Sequence, residues 1–141
     1  MSREYPERPL LGVGAIIENQ GRILLVRRAH PPLKGEWSIP GGLVEVGETT
    51  KAAITREVLE EAGLEIEPVK LVEVFERILR DEDSRVQYHF VLIDYLCKII
   101  GGSAKAGSDV DEIRWAKLDE LEACRVAPET CAVVRKAILG N

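Results

Sequence analysis

A chain of 141 residues and 15.7 kDa can bury one sizeable core but not two, so a single domain over residues 1–141 is expected. A formal net charge of -5 and a pI near 5.2 argue against general attraction to nucleic acid or to an anionic membrane. Any phosphate-bearing partner must then be drawn by local cations or by a metal. Cys97, Cys124 and Cys131 are odd in number and lack CxxC spacing, which argues against a disulfide framework, a thiolate zinc site and a nucleophilic cysteine.

In chain order, the apolar run at residues 10–17 is too short to span a bilayer, and the Arg3, Glu4, Glu7 and Arg8 ahead of it do not make a secretory leader. A cytoplasmic protein is expected. Residues 10–18 and 22–28 flank Asn19-Gln20-Gly21 and read as a hairpin. Residues 31–36 read as a loop, followed by the short apolar segment Trp37-Ser38-Ile39-Pro40-Gly41-Gly42. Its Pro-Gly-Gly reads as a turn that breaks a ladder and lets backbone approach a ligand closely. Residues 49–62 contain helix formers and no Pro or Gly, and Gly63 stands where a left-handed C-cap belongs. Residues 66–79 and 86–100 carry long β patterns around the charged turn Asp81-Glu82-Asp83-Ser84, with Gly101-Gly102 read as a turn. Residues 112–116 read as a short strand and 119–123 as one helical turn. Residues 128–139 read as a final helix, with Pro128 at its first position and Cys131, Val134 and Ile138 toward the core. This order implies a mixed sheet with helices packed on it, an α/β or α+β fold.

The helix at residues 49–62 carries the chemistry. At about 100° per residue, Glu57, Glu60 and Glu61 fall within an arc of about 100°, with Ala52, Val58, Leu59 and Ala62 mainly opposite. Like charges at these spacings repel by a few tenths of a kcal/mol per pair, and carboxylates are disfavoured in a last helical turn. A divalent cation reverses both effects, and clustered oxygens suit a hard ion such as Mg²⁺ or Mn²⁺. Glu48, at the helix entrance, is placed to accept orphan amide hydrogen bonds. Glu45 could approach a metal or face water.

From residue 42 to residue 64, Gly42, Glu48, Arg56, Glu57, Val58, Glu60, Glu61, Gly63 and Leu64 match Gly-x5-Glu-x7-Arg-Glu-U-x-Glu-Glu-x-Gly-U, where U is a bulky aliphatic. At ordinary residue frequencies such a match arises by chance at a rate on the order of one in a million or lower. The stretch resembles the Nudix box. The resemblance implies an α/β/α sandwich in which Glu57, Glu60 and Glu61, with the carbonyl of Gly41, hold Mg²⁺, for which Mn²⁺ can substitute. It further implies that Arg56 pairs with a nearby carboxylate and orients Glu57, with Gly42, Glu48 and Gly63 in structural roles. The implied reaction is hydrolysis of the pyrophosphate linkage of a nucleoside diphosphate joined to another group, such as ADP-ribose or a nucleoside triphosphate.

Other candidates lie outside the box. Glu112 is the candidate for an outer carboxylate that completes the metal site or activates water, ahead of Asp109 and Asp111. Arg27 and Arg28 are candidates for substrate phosphate; only one should face the site, because neighbouring strand residues point to opposite faces. Arg28 resembles a position at which some relatives contact substrate. Trp37 could stack on a base, whereas Tyr88 and His89 read as structural. About sixteen residues past the box, some ADP-ribose hydrolases of the family carry a proline and some dinucleoside polyphosphate hydrolases a tyrosine. Here stands Leu79-Arg80-Asp81, so the substrate stays open. The alternative function is a catalytically silent nucleotide-binding module, against which the complete set of carboxylates argues. The resemblance also allows a homodimer.

Overall fold

The computed structural model describes residues 3–30, 34–107 and 110–140. Asp109 and part of the 31–36 loop lie outside them. The first strand, β1 (Leu10–Asn19), returns as β2 (Arg22–Arg28) through a tight turn in which Gln20 and Gly21 have φ of 53° and 78°. Two consecutive positive φ values are what a two-residue hairpin with native twist requires. Residues 12–17 of β1 are buried without a break, as befits a strand covered on both faces.

Two short strands follow, β3 (Trp37–Ser38) against β2 and β4 (Gly41–Leu43) against β1. The Gly41-Gly42 pair is therefore not the expected turn but part of a ladder. The glycines are there for proximity: a Cβ on Gly41 would stand 2.0 Å from the Val13 carbonyl oxygen. Helix α1 (Thr50–Ala62) leads to the long antiparallel pair β5 (Leu64–Arg80) and β6 (Val86–Gly102). Here too a predicted turn belongs to a strand, since Gly101 and Gly102 pair with Glu65 and Leu64. A Cβ on Gly102 would meet the Gly63 carbonyl oxygen at 2.4 Å, so glycine permits the close approach that extends both strands. β7 (Val110–Lys117), a 3-10 turn (Leu118–Glu120) and helix α2 (Pro128–Leu139) complete the order.

The sheet runs β3-β2-β1-β6-β5, with β4 added to β1 and β7 to β2. It is mixed, because β1 and β6 run parallel from Leu10↔Phe90 to Ile17↔Cys97 while the other pairs are antiparallel. Alternation along β1 and β2 sends Val13, Ala15, Ile17 and Leu24 to a core with Ala53, Ile54, Val58 and Ala62 of α1. Ile16, Ile23 and Leu25 go to a second core with Leu121, Cys131 and Val134 on the α2 side. One helix covers each face, giving the expected sandwich, and each fully buried Ile or Val in it contributes about 1.5–3 kcal/mol. All three cysteines are free and buried, and burial pushes the Cys97 thiol up to about 12. Among the described residues no helix is long and apolar enough to cross a membrane.

Candidate active site

Helix α1 is fixed at both ends. The Thr49 hydroxyl accepts the Ala52 amide at 3.1 Å, and Gly63 takes the left-handed conformation (φ 71°) while its amide donates to the Leu59 carbonyl at 3.0 Å. Thr49 thus does the capping expected of Glu48. Its packed face also differs from the helical-wheel expectation: Ala53, Ile54, Val58 and Ala62 are buried, whereas Ala52 is exposed and Leu59 is 51% exposed. Sheet geometry, with Ala53 and Ile54 against β1, rotates the buried arc away from Leu59.

The three glutamates consequently separate. Glu61 is buried to 7% exposure, and its Oε2 accepts the Gly41 amide at 2.8 Å. Glu57 lies beside Gly42, where a Cβ would meet the carboxyl carbon at 2.3 Å. Both line one cleft of about 300 Å³. Glu60 is half-exposed and turns toward Arg56.

Arg56 holds the cluster together. Its Nε and one terminal nitrogen donate to both oxygens of Glu48 at 2.7 and 3.0 Å, a bidentate pair. Its other terminal nitrogen donates to Glu57 Oε1 at 2.9 Å and Glu60 Oε2 at 3.2 Å, and the Leu43 carbonyl accepts a further bond at 3.2 Å. Glu48 also accepts the Glu45 amide at 3.0 Å. The bonds from Arg56, with that amide second, hold the Glu48 carboxyl down at about 2. Glu57 moves the other way: burial raises its pKa, and Arg56 offsets only part of the rise. Arg56 therefore relieves some of the like-charge repulsion along the helix from within the protein.

Facing these carboxylates is Arg28, at the end of β2. It lines the same cleft with Arg3, His30, Gly41, Gly42 and Val110. Its Nε is buried with no hydrogen-bond partner among the described residues, and burial, only partly offset by Glu61, disfavours its charge. A register shift between Arg27 and Arg28 sends the two side chains to different surroundings. Arg27 sits opposite both Trp37 and Glu112 in the sheet and forms ion pairs with Glu112 at 3.4 Å and Asp111 at 3.8 Å. The guanidiniums of Arg27 and Arg114 each lie 5.8 Å from the Trp37 ring, and Trp37 packs against the α2-side core.

Two candidates from the sequence lie apart from the carboxylates in this arrangement. Glu112 lies on β7, where the strand expected over residues 112–116 puts it, paired with Arg27 at 3.4 Å, and is not among the residues lining the cleft that holds Glu57 and Glu61. Trp37 carries two arginines beside its ring and does not line that cleft. Of the two candidate arginines, Arg28 is the one that shares the cleft with the carboxylates.

The oxygen donors fit a hard divalent cation. Magnesium commonly takes only one or two carboxylates and completes its shell with water and substrate phosphate. Glu57 and Glu61 meet that need beside the Gly41 backbone, and burial still raises the Glu57 pKa against the opposing Arg56 charge, so a further cation would be favourable there. Among the described residues no three His, Cys, Asp or Glu side chains converge as a ready-made metal cage. Arg56 keeps Glu60 outside, so Glu60 must leave that contact to become a ligand.

Sequence reasoning missed Arg3, Arg77 and Asp94. The first two have no local signature: chain topology brings Arg3 to the cleft and Arg77 to a cavity beside it. Asp94 did carry a signal, a lone acid inside the aliphatic run Phe90-Val91-Leu92-Ile93-Asp94-Tyr95.

Comparison with known proteins agrees with this fold. An ADP-ribose pyrophosphatase from Methanocaldococcus jannaschii is 38% identical over 113 residues, which cover 80% of this chain and 64% of that protein. A MutT-like protein from Streptomyces ambofaciens is 32% identical over 108 residues, 77% of this chain and 63% of that protein. The chain thus spans just under two thirds of the length of these relatives. Among solved structures, a MutT NUDIX hydrolase from Burkholderia pseudomallei superposes with a TM-score of 0.79 at 30% identity, covering 92% of this chain and 98% of that one. An ADP-ribose pyrophosphatase from Streptococcus suis gives 0.69 at 28% identity, covering 92% of each chain. The NUDIX domain model matches residues 8–136, and the chain, with its box helix and two-faced sandwich, belongs to the Nudix family.

Proposed function

We propose that the protein is a pyrophosphohydrolase that cleaves the pyrophosphate linkage of a nucleoside diphosphate joined to another group. The observation that carries this reading is the cleft itself: two carboxylates, Glu57 and Glu61, face a guanidinium, Arg28, whose Nε is buried without a partner. Carboxylates suit a cation and the guanidinium suits phosphate oxygens, so both halves of a metal-pyrophosphate complex find their complement. ADP-ribose and other nucleotide sugars are the first candidates, because pyrophosphatases of that name are among the relatives.

In this reading Glu57 and Glu61 hold Mg²⁺, with the Gly41 carbonyl and, once released from Arg56, Glu60. Bound there, the ion would neutralise the diphosphate and acidify a water. Arg56 keeps the Glu57 carboxylate aimed at the cleft, and the Gly41 amide does the same for Glu61. Arg28 binds non-bridging phosphate oxygens through its fork of donors. Attack of a water oxygen on one phosphorus breaks the bridging P–O bond and leaves a phosphate on each half. Glu112 would have to leave its ion pair with Arg27 to act as a base, and it has no step here.

Glu61→Gln keeps the acceptor for the Gly41 amide but removes the charge. With Mg²⁺ present, its turnover should fall at least about a hundredfold while its melting curve stays close to the parent. The measurement is phosphate release, with a coupling phosphatase, across a panel of nucleoside diphosphate sugars, nucleoside triphosphates and dinucleoside polyphosphates. Full activity of the variant would overturn the assignment. No turnover by the parent on any member would favour a nucleotide-binding module.

A further inference from the structure

The segment ahead of β1 is pinned to the tip of the β5–β6 hairpin. The Tyr5 amide donates to the Gln87 carbonyl at 2.7 Å, and its hydroxyl donates to Asp81 Oδ2 at 2.7 Å. The Arg85 guanidinium lies 4.3 Å from the Tyr5 ring centre, and Gln87 Nε2 donates to Glu4 Oε2 at 3.0 Å. Tyr5 has a φ of 49°, a left-handed conformation that a bulky side chain rarely adopts. The chain is bent there against its own preference, and four contacts keep it bent.

The bend carries Arg3 to the cleft. Arg3, Arg28 and Gly42 line two adjoining cavities. One contains Glu57 and Glu61. The other, of about 60 Å³, contains Arg77, Phe90 and Leu92 and has no carboxylate in its wall. Arg77 reaches it from β5, opposite Phe90 in the ladder. Three guanidiniums so placed repel: the charges of Arg77 and Arg3 add to burial in disfavouring the charge on Arg28. An anion in the second cavity would remove that repulsion and give the buried Arg28 Nε an acceptor.

We propose that Arg3, Arg28 and Arg77 form an anion subsite for the second phosphate of a substrate whose first phosphate sits at Glu57 and Glu61, with Tyr5 as the residue that positions Arg3. The subsite rests on the pyrophosphohydrolase reading for its ligand, a diphosphate whose non-bridging oxygens match guanidinium forks.

The probe is inorganic pyrophosphate, titrated calorimetrically into the full chain in chelator, so that affinity reports the arginines and not a metal. Arg3→Ala and Arg77→Ala should each weaken binding about tenfold. Tyr5→Ala, which leaves the Arg3 guanidinium in place but releases its tether, should weaken it about threefold. Arg22→Ala, which removes a charge from the exposed start of β2, should leave it unchanged. In turnover with Mg²⁺, Arg3→Ala should raise KM about tenfold while kcat stays within about threefold. Pyrophosphate affinity in Arg3→Ala within about twofold of the parent, or an equal loss in Arg22→Ala, would overturn the subsite. Arg3-dependent pyrophosphate binding without turnover on any nucleotide would sink the hydrolase reading and leave the subsite standing. Turnover with Arg3-independent binding would do the reverse.

Discussion

At the scale of single residues, Asp94 is a carboxylate set into the core. It is 3% exposed, its Oδ2 has no hydrogen-bond partner among the described residues, and its Oδ1 occupies the space that a Cβ on Gly14 would need. Burial pushes its carboxyl from the ordinary 3.8 up to about 7, with the Arg77 charge opposing. The folded protein therefore holds this proton more tightly than the unfolded chain does. Its contribution is complete below about pH 4 and is lost as pH rises through about 7. Asp94→Asn removes the charge at nearly constant shape, so it should flatten that slope and raise stability at pH 8 by up to about 4 kcal/mol. Urea unfolding of both proteins at pH 5 and pH 8 measures it. An unchanged slope in the variant would show that the pH dependence arises elsewhere.

At the scale of elements, the long helices and strands were legible in the sequence and the short, glycine-bearing ones were not. Thr49 and Gly63 mark the ends of α1 through chemistry local to the chain, a hydroxyl acceptor and a missing Cβ, and Pro128 marks the start of α2 in the same way. Gly41-Gly42 and Gly101-Gly102 look like turns because a glycine pair reads alike whether it serves a bend or a close approach. Only the distances to Val13 and Gly63 separate the two cases. The burial of Ile54 in place of Leu59 is non-local in the same sense, since the angle at which α1 lies on β1 and β4 is set by the sheet. The box glutamates were legible as a group, but the outward turn of Glu60 depends on Arg56. These end residues also differ in cost. Thr49→Ala loses one capping bond, about 1 kcal/mol. Gly63→Ala forces a left-handed alanine and brings its Cβ to 2.8 Å from the Ser103 carbonyl oxygen, so about 2 kcal/mol or more is expected. Paired denaturant titrations should preserve that order, and equal costs would mean that the Gly63 turn relaxes freely.

At the scale of the whole molecule, an acidic protein gathers its cations where they matter. The net charge is -5, yet Arg3 and Arg28 line the cleft of Glu57 and Glu61 and meet Arg77 in the cavity beside it. A ligand that binds only the folded state stabilises it by mass action. Millimolar Mg²⁺ should therefore raise the melting temperature of the parent, by about 2–4 °C for each kcal/mol of binding gained. The double variant Glu57→Gln/Glu61→Gln should not respond. Equal shifts in the two proteins, followed by scanning calorimetry, would place the cation elsewhere.

The parallel pairing of β1 with β6 also sets an order of events. β5 and β6 meet through the five residues 81–85, and α1 forms from adjacent residues, so both can assemble early from local contacts. β1 must wait, because joining Leu10 to Phe90 closes a loop of about eighty residues at an entropic cost of about 4 kcal/mol. The Gly41 amide that anchors Glu61, the Gly42 surface that seats Glu57 and the Arg28 that faces them all hang on β1 or its hairpin partner. A chain whose β5–β6 hairpin has formed can thus hold its acidic helix beside it and still have no cleft, and competence arrives only when β1 docks.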